Sequence, residues 1–127
     1  MKNSILTAAA ICLLLSCHKN DPATSATIEF EEPILNDTIA FMDSIHVEGT
    51  IIGNGKMNGF KIEYIDASTG TVLHNQNSTT TDKEYAFHDH WMNELIDTTT
   101  IAVKITVDLD GNGNQTTAQR NVVCLPQ

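Results

Sequence analysis

Apolar side chains recur at every second position through most of this chain, and polar ones fill the positions between. In DSIHVEGTI, Ile45, Val47 and Ile51 fall on one face, with His46, Glu48 and Thr50 on the other. Phe60, Ile62 and Tyr64 alternate with Lys61 and Glu63, and Tyr85 and Phe87 alternate with Glu84, Ala86 and His88. In TTIAVKITVDLD, Ile101, Val103, Ile105, Val107 and Leu109 share a face. Period two with polar partners is the pattern of half-buried antiparallel strands, and no stretch sustains helical spacing. Turn chemistry separates the runs: GNGKMNG at 53–59, ASTG at 67–70, NQNSTTTD at 75–82 and DGNG at 110–113. Strands are therefore expected near 27–31, 44–52, 59–66, 71–75, 83–88, 100–109 and 115–125. About seven short strands in a chain of this size predict an all-β fold, an Ig-like antiparallel β-sandwich. HWMNELID, 90–97, is where a short helical turn could interrupt the strands.

The N-terminus follows another pattern. MKNSILTAAAICLLLS has one basic residue, Lys2, before an apolar run from Ile5 to Leu15 that is too short to span a bilayer. Leu14-Leu15-Ser16-Cys17 closes that run and resembles the lipobox of bacterial lipoproteins. The resemblance implies cleavage before Cys17, lipidation of Cys17, and anchoring in the membrane through the N-terminal lipid. Residues 1–16 are then a lipoprotein signal peptide, 17–27 the lipidated Cys with a polar, flexible tether, and 28–127 the Ig-like domain.

Composition narrows the function classes. Seven Lys and Arg stand against sixteen Asp and Glu, a formal charge of −9, and loss of Lys2 makes the mature chain one unit more negative. Nucleic-acid binding needs a basic footprint and is not expected, and the acidity disfavours anionic membrane surfaces. Of the three cysteines, Cys12 leaves with the signal peptide and Cys17 carries lipid. Cys124 then has no disulfide partner within the chain, and after two valines it reads as a core filler.

Three stretches, DSIHVEGTI, EYAFHDHW and IAVKITVDLDGNGNQTT, lie in that order behind the lipobox. Together they resemble a Bacteroidota lipoprotein family with an Ig-like domain of unknown function. The resemblance implies a lipid-anchored sandwich at the outer membrane, facing the periplasm or the cell surface, that contacts a protein or glycan partner. Asp37-Thr38-Ile39, Asp43-Ser44-Ile45 and Asp97-Thr98-Thr99 also resemble a short O-glycosylation motif of that phylum.

Two runs carry candidate chemistry. DLDGNGN places Asp108, Asp110 and Asn112 at the first, third and fifth positions of an EF-hand-like loop, with Gly113 at the sixth. The twelfth position is Gln119, which offers no carboxylate, and strands rather than helices flank the run. The preferred reading is a hairpin turn, with a weak calcium loop as the alternative. In EYAFHDHW, His88 and His90 project from one strand face, opposite Tyr85, Phe87 and Trp91. In an Ig-like sandwich the second strand pairs with the fifth. His46 and Glu48 would then lie beside His88 and His90, a donor set suited to zinc or copper. Asp89 points to the other face, and His74 belongs to another strand.

Catalytic motifs are absent: no G-x-S-x-G elbow, HExxH helix, phosphate-binding glycine loop or CxxC pair occurs. Asp43, Ser44 and His46 cannot form a relay, because adjacent strand positions face opposite ways. The sequence thus points to a non-enzymatic, lipid-anchored envelope protein with an Ig-like interaction, adhesion or accessory module. Metal binding or delivery through His46, His88, His90 and Glu48 is the alternative.

Overall fold

A computed structural model describes residues 21–127. The expected signal peptide, Cys17 and the first part of the tether lie outside the described residues. The described residues form eight strands: β1 (Ala26–Glu32), β2 (Asp37–Ile39), β3 (Ser44–Gly53), β4 (Phe60–Asp66), β5 (Val72–Ser78), β6 (Glu84–Met92), β7 (Thr99–Asp108) and β8 (Gln115–Cys124). They build a three-stranded sheet, β1-β3-β6, and a five-stranded sheet, β2-β8-β7-β4-β5. This is an Ig-like β-sandwich, and all its pairings are antiparallel except β2 with β8.

The alternating runs become the facing layers of the core. Ile45, Val47 and Ile51 from β3 meet Ile62, Tyr64, Ile101, Val103, Ile105 and Val107 from the opposing sheet, all buried. Each fully buried aliphatic side chain contributes about 1.5–3 kcal/mol, and this apolar layer joins the sheets without a disulfide. Cys124 is a free, buried thiol within that layer, and burial pushes its ionisation up to about 11. Gly49 lies opposite Phe30 on one side and Phe87 on the other. The two rings make an edge-to-face contact with centroids 5.8 Å apart.

Four features differ from the sequence pattern. The sandwich begins before residue 28: Ala23 is buried, its amide donates to the Lys56 carbonyl at 2.9 Å, and β1 starts at Ala26. Residues 21–27 are thus tied to the domain through Ala23 and β1. β2 is an additional strand, too short at three residues to show a periodicity. β5 continues through Asn75, Gln76 and Asn77, polar residues that had read as a turn. No helix forms at 90–97; β6 runs on to Met92 and a loop follows.

Candidate functional site

The strand register sets the histidines. His46 pairs with His90, and Glu48 with His88, on the outer face of the three-stranded sheet. His88 Nε2 lies 3.1 Å from Glu48 Oε1, whereas the His46–His90 and His88–His90 ring centroids are 6.2 and 6.3 Å apart. Among the described residues, no group of three or more His, Cys, Asp or Glu side chains is placed to hold a metal ion. His46, His88, His90 and Glu48 are neighbours without being a ligand set. Asp89 faces inward, where the Tyr64 hydroxyl donates to its Oδ2 at 2.8 Å. His74, on β5, stacks with Trp91 of the other sheet at a 7° interplanar angle and caps the side of the core.

The DLDGNGN run is the β7–β8 hairpin. Gly111 N–H donates to Asp108 Oδ1 and Asn58 Nδ2 to Asp108 Oδ2. Asn112 N–H donates to Asp110 Oδ1, and Asn114 Nδ2 to Asp110 Oδ2. These donors hold the Asp110 carboxyl below its ordinary ionisation range, the Asn114 side-chain bond being the largest cause. Gly111 and Gly113 have positive φ, as tight turns require. Asp108 Oδ1 and both Asp110 oxygens thus accept N–H groups that close the turn, Asn112 contributes its amide to the same purpose, and Asp108 Oδ2 ties the turn to Asn58 of the β3–β4 loop.

The feature that sequence reasoning missed lies at the opposite end of the sandwich. The chain enters where Ala26 pairs with Gly53; the other end is where Ser44 pairs with Met92 and Thr99 with Cys124. That remote end carries exposed apolar side chains: Ile96 (86% exposed), Met42 (53%), Met92 and Leu125, while Ile34 (68%) and Leu35 stand on the β1–β2 segment along the side of the sandwich. Scattered exposed apolar residues are ordinary; these four share one end. Asp43, Glu94 and Asp97 stand on the same segments, all exposed. Among the described residues no Lys or Arg stands on the segments that form this end.

Asn93 organises that end. It is completely buried, and its side-chain amide donates to the carbonyls of Ile39 (3.1 Å), Ala40 (3.2 Å) and Leu125 (2.9 Å). Its Oδ1 accepts from Leu95 N–H, and its backbone exchanges hydrogen bonds with Met42 and Asp43. One asparagine therefore ties together the β2–β3 corner, the β6–β7 loop and the C-terminal segment, which carry Met42, Ile96 and Leu125. Met42 is held at φ 67°, a left-handed conformation uncommon for a methionine. Its N–H donates to the Asn93 carbonyl at 2.8 Å, which fixes that conformation in place.

No protein-family model matches the sequence, and no curated protein matches it. Solved structures do match. The crystal structure of a CARDB domain from Pyrococcus furiosus, in complex with di-metal ions, superposes with a TM-score of 0.54 at 16% identity. The alignment covers 85% of this chain and 99% of that domain. A solution NMR structure of the CARDB domain from the same organism gives a TM-score of 0.52 at 17% identity, covering 80% of this chain and 95% of that one. At such identities the likeness is one of fold, and it agrees with the Ig-like sandwich built by the strand pairing.

Proposed function

We propose that this chain is a non-enzymatic, lipid-anchored envelope protein whose Ig-like domain docks a partner protein through its apolar end. The observation that carries the reading is the placement of exposed Met42, Ile96 and Leu125 on the end remote from the chain's entry. A tether at one pole leaves the other free to reach outward. The Asn93 hydrogen bonds hold this end in one shape, so docking does not first have to order three loops. The acidic border selects a partner whose own apolar patch is rimmed by Lys or Arg. Anchoring is supported by the lipobox-like run ending in Cys17 and by the resemblance to Bacteroidota envelope lipoproteins. The Pyrococcus domain was crystallised with di-metal ions, but no metal-holding group occurs here among the described residues, so metal delivery is not part of the proposal.

The test places a photoreactive amino acid at Ile96 of the full-length protein in intact cells, with Thr117 on the outer sheet face as the control position. The expected result is one discrete covalent adduct from position 96 and none from 117. Equal labelling from both positions, or none from 96, would overturn the docking role. In parallel, Cys17→Ser is expected to release the protein from the membrane fraction.

A further inference from the structure

β5 ends the five-stranded sheet, and among the described residues nothing pairs with its edge away from β4. Such an edge presents free N–H and C=O groups to any strand that can lie beside it. Proteins protect such edges with charges, prolines or brevity, and the other edge strands here show these devices. β1 carries Glu29, Glu31 and Glu32, β6 carries Glu84 and Asp89, and β2 is only three residues long. β5 reads VLHNQNS: seven residues without Asp, Glu, Lys, Arg or Pro, the only strand of the eight with no such charge. Its register with β4 shifts only near Val72, and the run from His74 to Ser78 is regular. Asn75, Gln76 and Asn77 at its centre are all exposed.

We infer that β5 is a self-association edge, along which two copies of this chain pair antiparallel about Gln76 and merge their five-stranded sheets into one. A two-fold interface must be self-complementary, because each surface meets itself. Asn75-Gln76-Asn77 meets that condition, since the run reads the same in both directions. Antiparallel pairing centred on Gln76 sets Gln76 opposite its own copy and Asn75 of one chain opposite Asn77 of the other. Each side-chain amide both donates and accepts, so every amide in this arrangement has a complementary one facing it. Charge favours the same edge: the chain carries a formal −9, and β5 is the strand along which two copies approach without opposing carboxylates.

The test uses the full-length protein in its native membrane, with Gln76→Cys on the proposed axis and Glu84→Cys on the exposed edge of β6 as control. Mild oxidation followed by non-reducing electrophoresis is expected to give a disulfide dimer from Gln76→Cys and monomer from Glu84→Cys. Adding Asn75→Lys and Asn77→Lys to the Gln76→Cys chain sets lysine opposite lysine and should lower dimer yield by about tenfold. Equal cross-linking at positions 76 and 84 would overturn the inference. So would a position-76 adduct with a different protein, or a yield untouched by the lysines while the thermal midpoint stays the same.

Discussion

The Tyr64 hydroxyl donates to Asp89 Oδ2 at 2.8 Å and so joins the five-stranded sheet to the three-stranded one. Burial first, then the hydrogen bond and charge of Asp89, drive the Tyr64 phenol well above its ordinary range. Tyr85, the chain's other tyrosine, stacks on Phe60 with centroids 5.0 Å apart, and its buried hydroxyl makes no hydrogen bond among the described residues. The two phenols therefore predict opposite mutational results at neutral pH. Tyr64→Phe strips a donor from an inward-facing carboxylate and should cost about 2 kcal/mol, whereas Tyr85→Phe should be neutral or slightly stabilising. Urea unfolding of the two variants, compared by midpoint, checks the contrast.

Alkaline pH gives the same pair a second signature. Burial and then the Asp82 charge push Tyr85 up to about 12. Folding thus raises both phenols above their ordinary value of 10.0. In that case the unfolded chain loses its phenolic protons first, so the stability they contribute is intact below pH 10 and falls as pH rises beyond it. Tyrosinate absorbance at pH 10.5 should be nearly absent from the folded protein and appear on unfolding. A normal titration near pH 10 in the folded state would refute the burial of both rings.

Asn93 should be among the least replaceable residues of the chain. Asn93→Ala takes a donor from the carbonyls of Ile39, Ala40 and Leu125, of which the first two keep the backbone N–H of Leu125 and Asp43, and should cost about 2 kcal/mol. Asn93→Asp has nearly the same shape but turns an acceptor toward those carbonyls, and it should be at least as damaging. A stability loss below about 0.5 kcal/mol in both variants would show that the loops hold themselves.

Period two made β3, β4, β6 and β7 legible, because in each the large apolar residues alternate with small or polar ones and turn toward the core. The same alternation, with the strand order of an Ig-like sandwich, placed His46 and Glu48 beside the His88/His90 pair, and the register then sets His46 opposite His90 and Glu48 opposite His88. What register does not determine is where the side-chain tips go, and the neighbouring rings stand with centroids 6.2 and 6.3 Å apart. β5 was only partly legible: an edge strand has polar residues on both faces, so Asn75, Gln76 and Asn77 carry no alternation. The apolar end escaped notice because Met42, Ile96 and Leu125 are isolated in separate turn or terminal segments that meet only through the fold. Asn93 stands between Met92 and Glu94, where nothing in its own sequence neighbourhood signals complete burial.

Gly49 marks a packing limit that the strand pattern alone does not reveal. A Cβ built there would collide with the Glu29 carbonyl and the Phe87 ring. Gly49→Ala must therefore displace either β1 or the Phe30–Phe87 edge-to-face pair, and overpacking of this kind costs about 1–3 kcal/mol. Gly70→Ala is a different case: a Cβ there meets nothing within 4 Å, and only its positive φ opposes the change. Thermal melts of the two variants should place Gly49→Ala clearly below Gly70→Ala. The reverse order would mean that β1 yields easily.

The segment before residue 28 should behave as part of the domain. Lys56 N–H donates to the Asp21 carbonyl at 2.8 Å, Thr24 and Ser25 N–H donate to Asn54 Oδ1, and Asn54 Nδ2 donates to Thr24 Oγ1. Ala23, 2% exposed, closes the core above the β3–β4 loop, and Ala26 and Thr27 supply the first rungs of β1. A chain beginning at Ile28 loses all of these and exposes buried apolar surface, whereas one beginning at Asp21 keeps them. The shorter chain should be less stable by about 2–4 kcal/mol, read from urea midpoints at equal m-values. Hydrogen exchange gives a residue-level check, because the Asn54 and Lys56 amides, which donate to the Ser25 and Asp21 carbonyls, should lose protection along with the segment. Equal stability of the two chains would return residues 21–27 to the tether.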